Sequence, residues 1–232
     1  MKYLDLNTPV QGAEGAEDAQ PSTPYLENQL AELNEKLATT AQNSLEQAQL
    51  LIEKGYILLD LDQRSDAWWI AQSAFNIFLS SEQWEGAVQA CHILFLADQP
   101  ASLVALGNGV WLSVTFPIDP ELSVAVLEQL VNETPDDSDG AAIAAATAHY
   151  IADLRAEGQA QENLLFFTGQ LLAKVARRHS QVETQTDFEA WFKKLELDSP
   201  PDFLGRLAQI LEIMVQDDWW YDRDRLRAQL PQ

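Results

Sequence analysis

The chain predicts an all-α fold, built either as a stack of antiparallel helices or as an irregular helical bundle. Three observations carry that reading. Apolar residues recur at helical spacing in one segment after another from residue 25 onward. No segment alternates apolar and polar residues as a half-buried strand would. Pro117, Pro120, Pro135, Pro200 and Pro201 fall at the junctions between periodic segments, where proline disturbs helix hydrogen bonding least.

Residues 11–24, QGAEGAEDAQPSTP, are small, acidic and rich in turn formers. They bury too little apolar surface to offset ordering entropy, so residues 1–24 read as a flexible acidic arm. The opening MKYLDL is able to dock as a short extended piece. Residues 25–232 read as a single all-helical domain, with 25–156 and 157–232 as its candidate sub-units.

Within that domain, Leu26, Leu30, Leu33 and Leu37 form one apolar stripe on a polar helix. Ser44 followed by Gln47 is a capping-box pattern that opens LEQAQLLIEKGYILLDL. Ser65 or Asp66 is placed to cap a helix running to about Ser80, and another runs from near Glu82 to about Ala97, stopped by Asp98 and Pro100. Further helices are expected at 101–115, 120–132, 139–156, 159–179, 186–196, 201–216 and 220–229. The segment 101–115 is the least regular, since GNGVWLSVTF holds two glycines and several β-branched residues.

In 66–100, Ala67, Ala71 and Ala74 repeat at helical spacing, and Ala87, Ala90 and Leu94 do the same one helix later. Small side chains on facing stripes let two axes approach closely, with Phe75, Phe78, Trp84 and Ile93 filling around them. Trp84 stands three residues before Ala87, Pro100 follows the second helix, and Gly55 precedes Ala67 by twelve residues. Over about 45–100 this pattern resembles the tetratricopeptide helical hairpin, although no strict recurrence at about 34 residues survives. The resemblance implies a stack of antiparallel helices and a role in binding other proteins. Trp68 and Trp69 lie about 100° apart on their helix, so one is expected in the core and the other at its edge or on a groove.

Charge is the most unequal feature. The chain has 36 acidic residues, 14 basic ones and a net charge of −22. Residues 65–154 contain no lysine or arginine but 12 acidic residues, whereas 155–232 hold ten basic residues. Direct binding to nucleic acid is excluded on this reading, because that affinity comes from Lys and Arg displacing counterions. An acidic field instead attracts and steers a basic partner. The single cysteine, Cys91, forms no internal disulfide, and no leader-like or membrane-spanning run is present. A reducing, cytoplasmic location is expected.

Catalytic and metal-binding patterns are weak. PDDSDGAA, with Gly140 at the sixth position of a calcium loop, would put Ala146 where a bidentate Glu is required. It reads better as a linker whose Ser138 or Asp139 caps the alanine-rich helix AAIAAATAHYIADL. His149 and Asp153 share a helix face but are too few to hold a metal, and neither His92 nor His179 completes a site. Cys91 reads as an inert buried thiol. The basic run AKVARRHS suits the negative end of its own helix, or docking onto an acidic surface, including this chain's own middle block in a homodimer. DDWWYDRDRLRAQLPQ reads as a short salt-bridged helix whose aromatics lock the tail to the core or serve as an anchor for another protein.

The preferred functional reading is a non-catalytic scaffold, adaptor or assembly factor that binds a basic protein partner and needs no cofactor. The candidate contact residues are Trp68, Trp69, Glu82, Trp84, Glu85, Asp136, Asp137 and Asp139, with Trp219 and Trp220 as a second candidate surface. Two other classes stay open at this point: a helical enzyme or ligand-binding domain with a pocket inside the bundle, and an acidic mimic of nucleic acid.

Overall fold

The computed structural model describes residues 22–230. Those residues form helices and no strand. The first four are α1 (Thr23–Thr39), α2 (Leu45–Asp60), α3 (Arg64–Ser80) and α4 (Trp84–Leu96). They are followed by α5 (Ser102–Thr115), α6 (Pro120–Glu133), α7 (Asp139–Arg155) and α8 (Gly158–Ser180). The chain closes with α9 (Gln185–Lys194), α10 (Pro200–Val215) and the short α11 (Arg223–Arg227). The expected arm lies outside the described residues apart from residues 22–24, where Thr23 and Pro24 already belong to α1.

Helix starts follow local chemistry. Ser44 accepts the Gln47 N–H at 3.1 Å, and the Gln47 side chain reaches back to the Asn43 N–H at 2.6 Å. Asp119 caps α6 through the N–H groups of Glu121 and Leu122, and Ser138 caps α7 through that of Gly140. At α3 the expectation fails. Gln63 occupies the capping position, without a side-chain bond, and Ser65 and Asp66 lie inside the first turn.

The cause is the turn before it. Asp62 takes φ 56° and the Gln63 N–H closes on the Leu58 carbonyl at 2.8 Å, so the next helix begins at once. The same closure recurs at Glu82, where the Gln83 N–H meets Phe78, and at Glu196, where the Leu197 N–H meets Phe192. All three turns put an acidic residue in the left-handed position that glycine usually fills.

The helices stack in chain order. α2 packs on α3, α3 on α4, α4 on α5, α6 on α7 and α7 on α8, while α2, α4, α6 and α8 also touch one another in sequence. Alanine permits the close axes: Ala67, Ala71, Ala74, Ala87 and Ala90 have no exposed surface. On α7 every residue from Gly140 to Ala148 is buried, which makes this slim helix the centre of its neighbourhood. The irregular segment 101–115 is a regular helix for a packing reason. Gly107 meets Val215 of α10 and Gly109 meets Cys91 of α4, contacts that leave no room for a side chain.

The C-terminal third then turns back. α10 lies against both α5 and α7. Beyond it, Trp220 reaches Phe75 of α3 and Tyr221 reaches Trp111 of α5. The expected helix 220–229 is shorter than predicted. Only 223–227 is helical, because Trp219, Trp220 and Tyr221 run outside a helix to bring their rings to the core.

Candidate functional site

The tryptophans separate into packed and free. Trp68 is 9% exposed and meets Trp220 edge-on at 6.5 Å, while Trp84 stacks on Phe116 at 4.2 Å. Trp219 lies beside Trp111 at 6.4 Å, and Trp220 beside Phe75 at 5.2 Å. Trp69 points outward, 64% exposed.

The candidate acids are not brought to one place. Glu82 lies in the turn from α3 to α4 and Glu85 in the first turn of α4, whereas Asp136, Asp137 and Asp139 lie at the turn from α6 to α7. Consecutive helices run antiparallel, so these turns sit at opposite ends of the stack, about 20 Å apart along the helix axes. Some of the acidity has an internal use, since Asp66, Glu85, Glu121 and Asp139 occupy the first turns of their helices, where the backbone dipole favours negative charge.

Three of the late arginines close the ends of other helices. Arg155 donates to the Ser113 and Val114 carbonyls at 2.7 and 2.8 Å, closing the C-terminus of α5. Arg178 donates to the Val131 carbonyl at 2.7 Å at the end of α6 and pairs with Asp136 at 3.4 Å. Arg206 donates to the Leu195 carbonyl at the end of α9. Each satisfies carbonyl oxygens that a helix end leaves unpaired. The basic end of α8 thus docks on the acidic middle block of its own chain. Beside it, His179 Nε2 meets Asp139 at 3.1 Å and Nδ1 accepts the Trp191 indole N–H at 3.2 Å.

Between α5, the α6–α7 turn and α10 lies an apolar groove of about 480 Å³. Its walls include Leu103, Leu130, Ile143, Ile210, Ile213 and Met214, and its charged lining residues are the acids Glu133 and Asp139 and the base Arg206. Leu103 is 48% exposed and Ile213 76% exposed, so large apolar side chains face solvent from both walls. Sequence reasoning missed these two residues. The signal lies in α10, which carries two apolar stripes: Phe203, Leu207, Leu211 and Val215 are buried, and Ile210, Ile213 and Met214 form the second. A second cleft of about 460 Å³ between α2 and α3 is lined by Gln42, Gln47, Ser73, Asn76 and Ser80 and carries no charged side chain.

The titratable groups inside the stack are held by packing. Cys91 is completely buried, which pushes its thiol far above the usual range. Tyr56 and His92 share a hydrogen bond of 3.2 Å; burial raises the phenol to about 12 and lowers the imidazole. His149 bonds Thr168 at 2.8 Å, and burial lowers its pKa against the opposing pull of Asp153. Among the described residues no three His, Cys, Asp or Glu side chains cluster as metal ligands, and no helix is long and apolar enough to cross a membrane.

Comparison with protein-family models, curated proteins and solved structures finds no match to this chain.

Proposed function

We propose that this protein is a non-catalytic scaffold or adaptor of the cytoplasm whose partner lays a basic, apolar protein segment into the groove between α5, the α6–α7 turn and α10. The observation that carries the reading is the exposure of Leu103 and Ile213 in the groove lining beside the carboxylates of Glu133 and Asp139, while the base there, Arg206, donates to the Leu195 carbonyl. An apolar side chain entering between them would be desolvated at the centre of the contact, where binding energy concentrates. The surrounding field is negative because residues 65–154 contain 12 acids and no lysine or arginine. That field speeds the encounter with a positive segment and disfavours acidic competitors. The stacking of α2, α4, α6 and α8 supports the tetratricopeptide-like reading, a fold plan that presents grooves to protein segments.

The test is affinity capture from native lysate with three baits: the unaltered chain, Ile213→Asp and Trp69→Ala. Ile213 is 76% exposed, so its replacement leaves the fold intact. A basic protein held by the unaltered chain and by Trp69→Ala, released at high salt, and lost by tenfold or more from Ile213→Asp is the expected result. Equal retention by Ile213→Asp would remove the groove from the reading.

A further inference from the structure

The segment after α10 is held as a peptide ligand would be. α10 ends at Gln216 with φ 54° and ψ −122°, a backbone region that strains a residue bearing a side chain. From there the chain leaves helical geometry and enters a seat formed by α3 and α5. The main-chain N–H of Trp220 donates to Oδ1 of the fully buried Asn108 at 3.2 Å, and the Tyr221 hydroxyl donates to the Asn108 carbonyl at 2.7 Å. Rings complete the seat, with Trp220 on Phe75 at 5.2 Å and Tyr221 on Trp111 at 5.3 Å. Arg223 lies 3.8 Å over the Trp219 ring and pairs with Glu212 of α10, and the Gln229 side chain donates to Glu82 at 3.4 Å.

Apart from the stack of Arg223 on Trp219, every one of these contacts joins residues 217–230 to residues before 216. A second copy of the chain offers the same seat, with the same Asn108, the same rings and the same Glu212. We infer that residues 217–230 exchange between two copies of this chain about Gln216, giving a dimer in which each tail occupies the other copy's α3–α5 seat. Exchange preserves the tail contacts and relaxes two strained hinges, and strained hinges are what favour such swapping. Against it stands the loss of freedom on association, which makes the dimer depend on concentration.

The geometry has a consequence for the groove. Each tail starts where the other copy's α10 ends, so the two α10 C-termini meet. Ile213 and Met214 lie within one turn of the hinge, and the dimer therefore opens two grooves side by side. A partner with two binding segments would gain avidity from that pairing. This consequence rests on the groove reading above; the exchange itself does not.

The test uses the full chain carrying Glu82→Cys and Gln229→Cys, with mass measured by light scattering over rising concentration, followed by a thiol-reactive cross-linker long enough to span the two native side chains and a denaturing gel. In a closed monomer the new cross-link lies within one chain, and in the exchanged dimer it joins two. The expected result is a dimer fraction that rises with concentration and is covalently linked between chains. Gln216→Gly, which removes the hinge strain, lowers that fraction by about tenfold or more. A single-chain mass at every concentration would overturn the inference, as would a dimer without interchain links or one unaffected by Gln216→Gly.

Discussion

Gly109 on α5 faces Cys91 on α4 so closely that a Cβ on the glycine would stand 2.8 Å from the cysteine Cβ. Both atoms belong to rigid parts of their helices, so neither can swing aside. Gly109→Ala should therefore cost about 1–3 kcal/mol through overpacking, more than the roughly 1 kcal/mol of helix propensity it gains. Gly169 and Gly205 sit in helices with nothing near the absent Cβ, and alanine at either should stabilise by about 0.5–1 kcal/mol. Urea midpoints of the three variants check the contrast, and a stabilising Gly109→Ala would refute the close α4–α5 contact.

Adjacent tryptophans should behave oppositely. Trp68 is packed against Trp220, and its replacement by alanine should cost about 3–5 kcal/mol. Trp69→Ala removes an exposed ring and should change stability by less than about 0.5 kcal/mol. Thermal or chemical unfolding of the two variants decides it, and comparable losses would mean that the buried face of α3 is misassigned.

Stability should depend on pH through the buried His92 and the half-buried His149. Burial lowers the pKa of His92 and His149 in the folded chain below the unfolded value of about 6.5. The unfolded state therefore binds protons first as pH falls. The stability these groups carry is present above about pH 6.5 and is lost below it, by up to about 1.4 kcal/mol per pH unit for His92 and by less for His149, which solvent partly screens. Glu128, raised by burial against the pull of Lys174, acts in the opposite sense at lower pH. Between pH 7 and 5.5 the unaltered chain should lose more stability than the double variant His92→Gln, His149→Gln. Parallel pH profiles would show that neither histidine is buried in its neutral form.

Most helices were legible because their causes are local. The stripe of Leu26, Leu30, Leu33 and Leu37, the Ser44 and Ser138 caps and the junction prolines each act within a few residues. The alanine run of α7 is buried from Gly140 to Ala148, as slim side chains permit neighbours to close over it. What failed was also consistent. The start of α3 moved to Gln63 because of the tight turn at Asp62, and the tail lost most of its predicted helix because its three rings pack on Phe75 of α3 and Trp111 of α5. The candidate site was less legible than the fold. Tryptophan and acid are common in both packed and binding surfaces, and nothing local tells Trp69 from Trp68 or places Leu103 opposite Ile213.

By itself, then, the sequence determined a chain of amphipathic helices, their approximate boundaries, the close packing of the alanine-bearing pairs and a negative field over the middle block. These follow from periodicity, capping and composition, which operate over one or two helix turns. The tertiary structure alone decided which rings are buried, which helix ends the arginines close, that the acids divide between two ends of the stack, and that α10 returns to make a groove with α5 and α7. Each of these depends on contacts between residues tens to more than a hundred positions apart, and such contacts leave no spacing in the chain from which to read them.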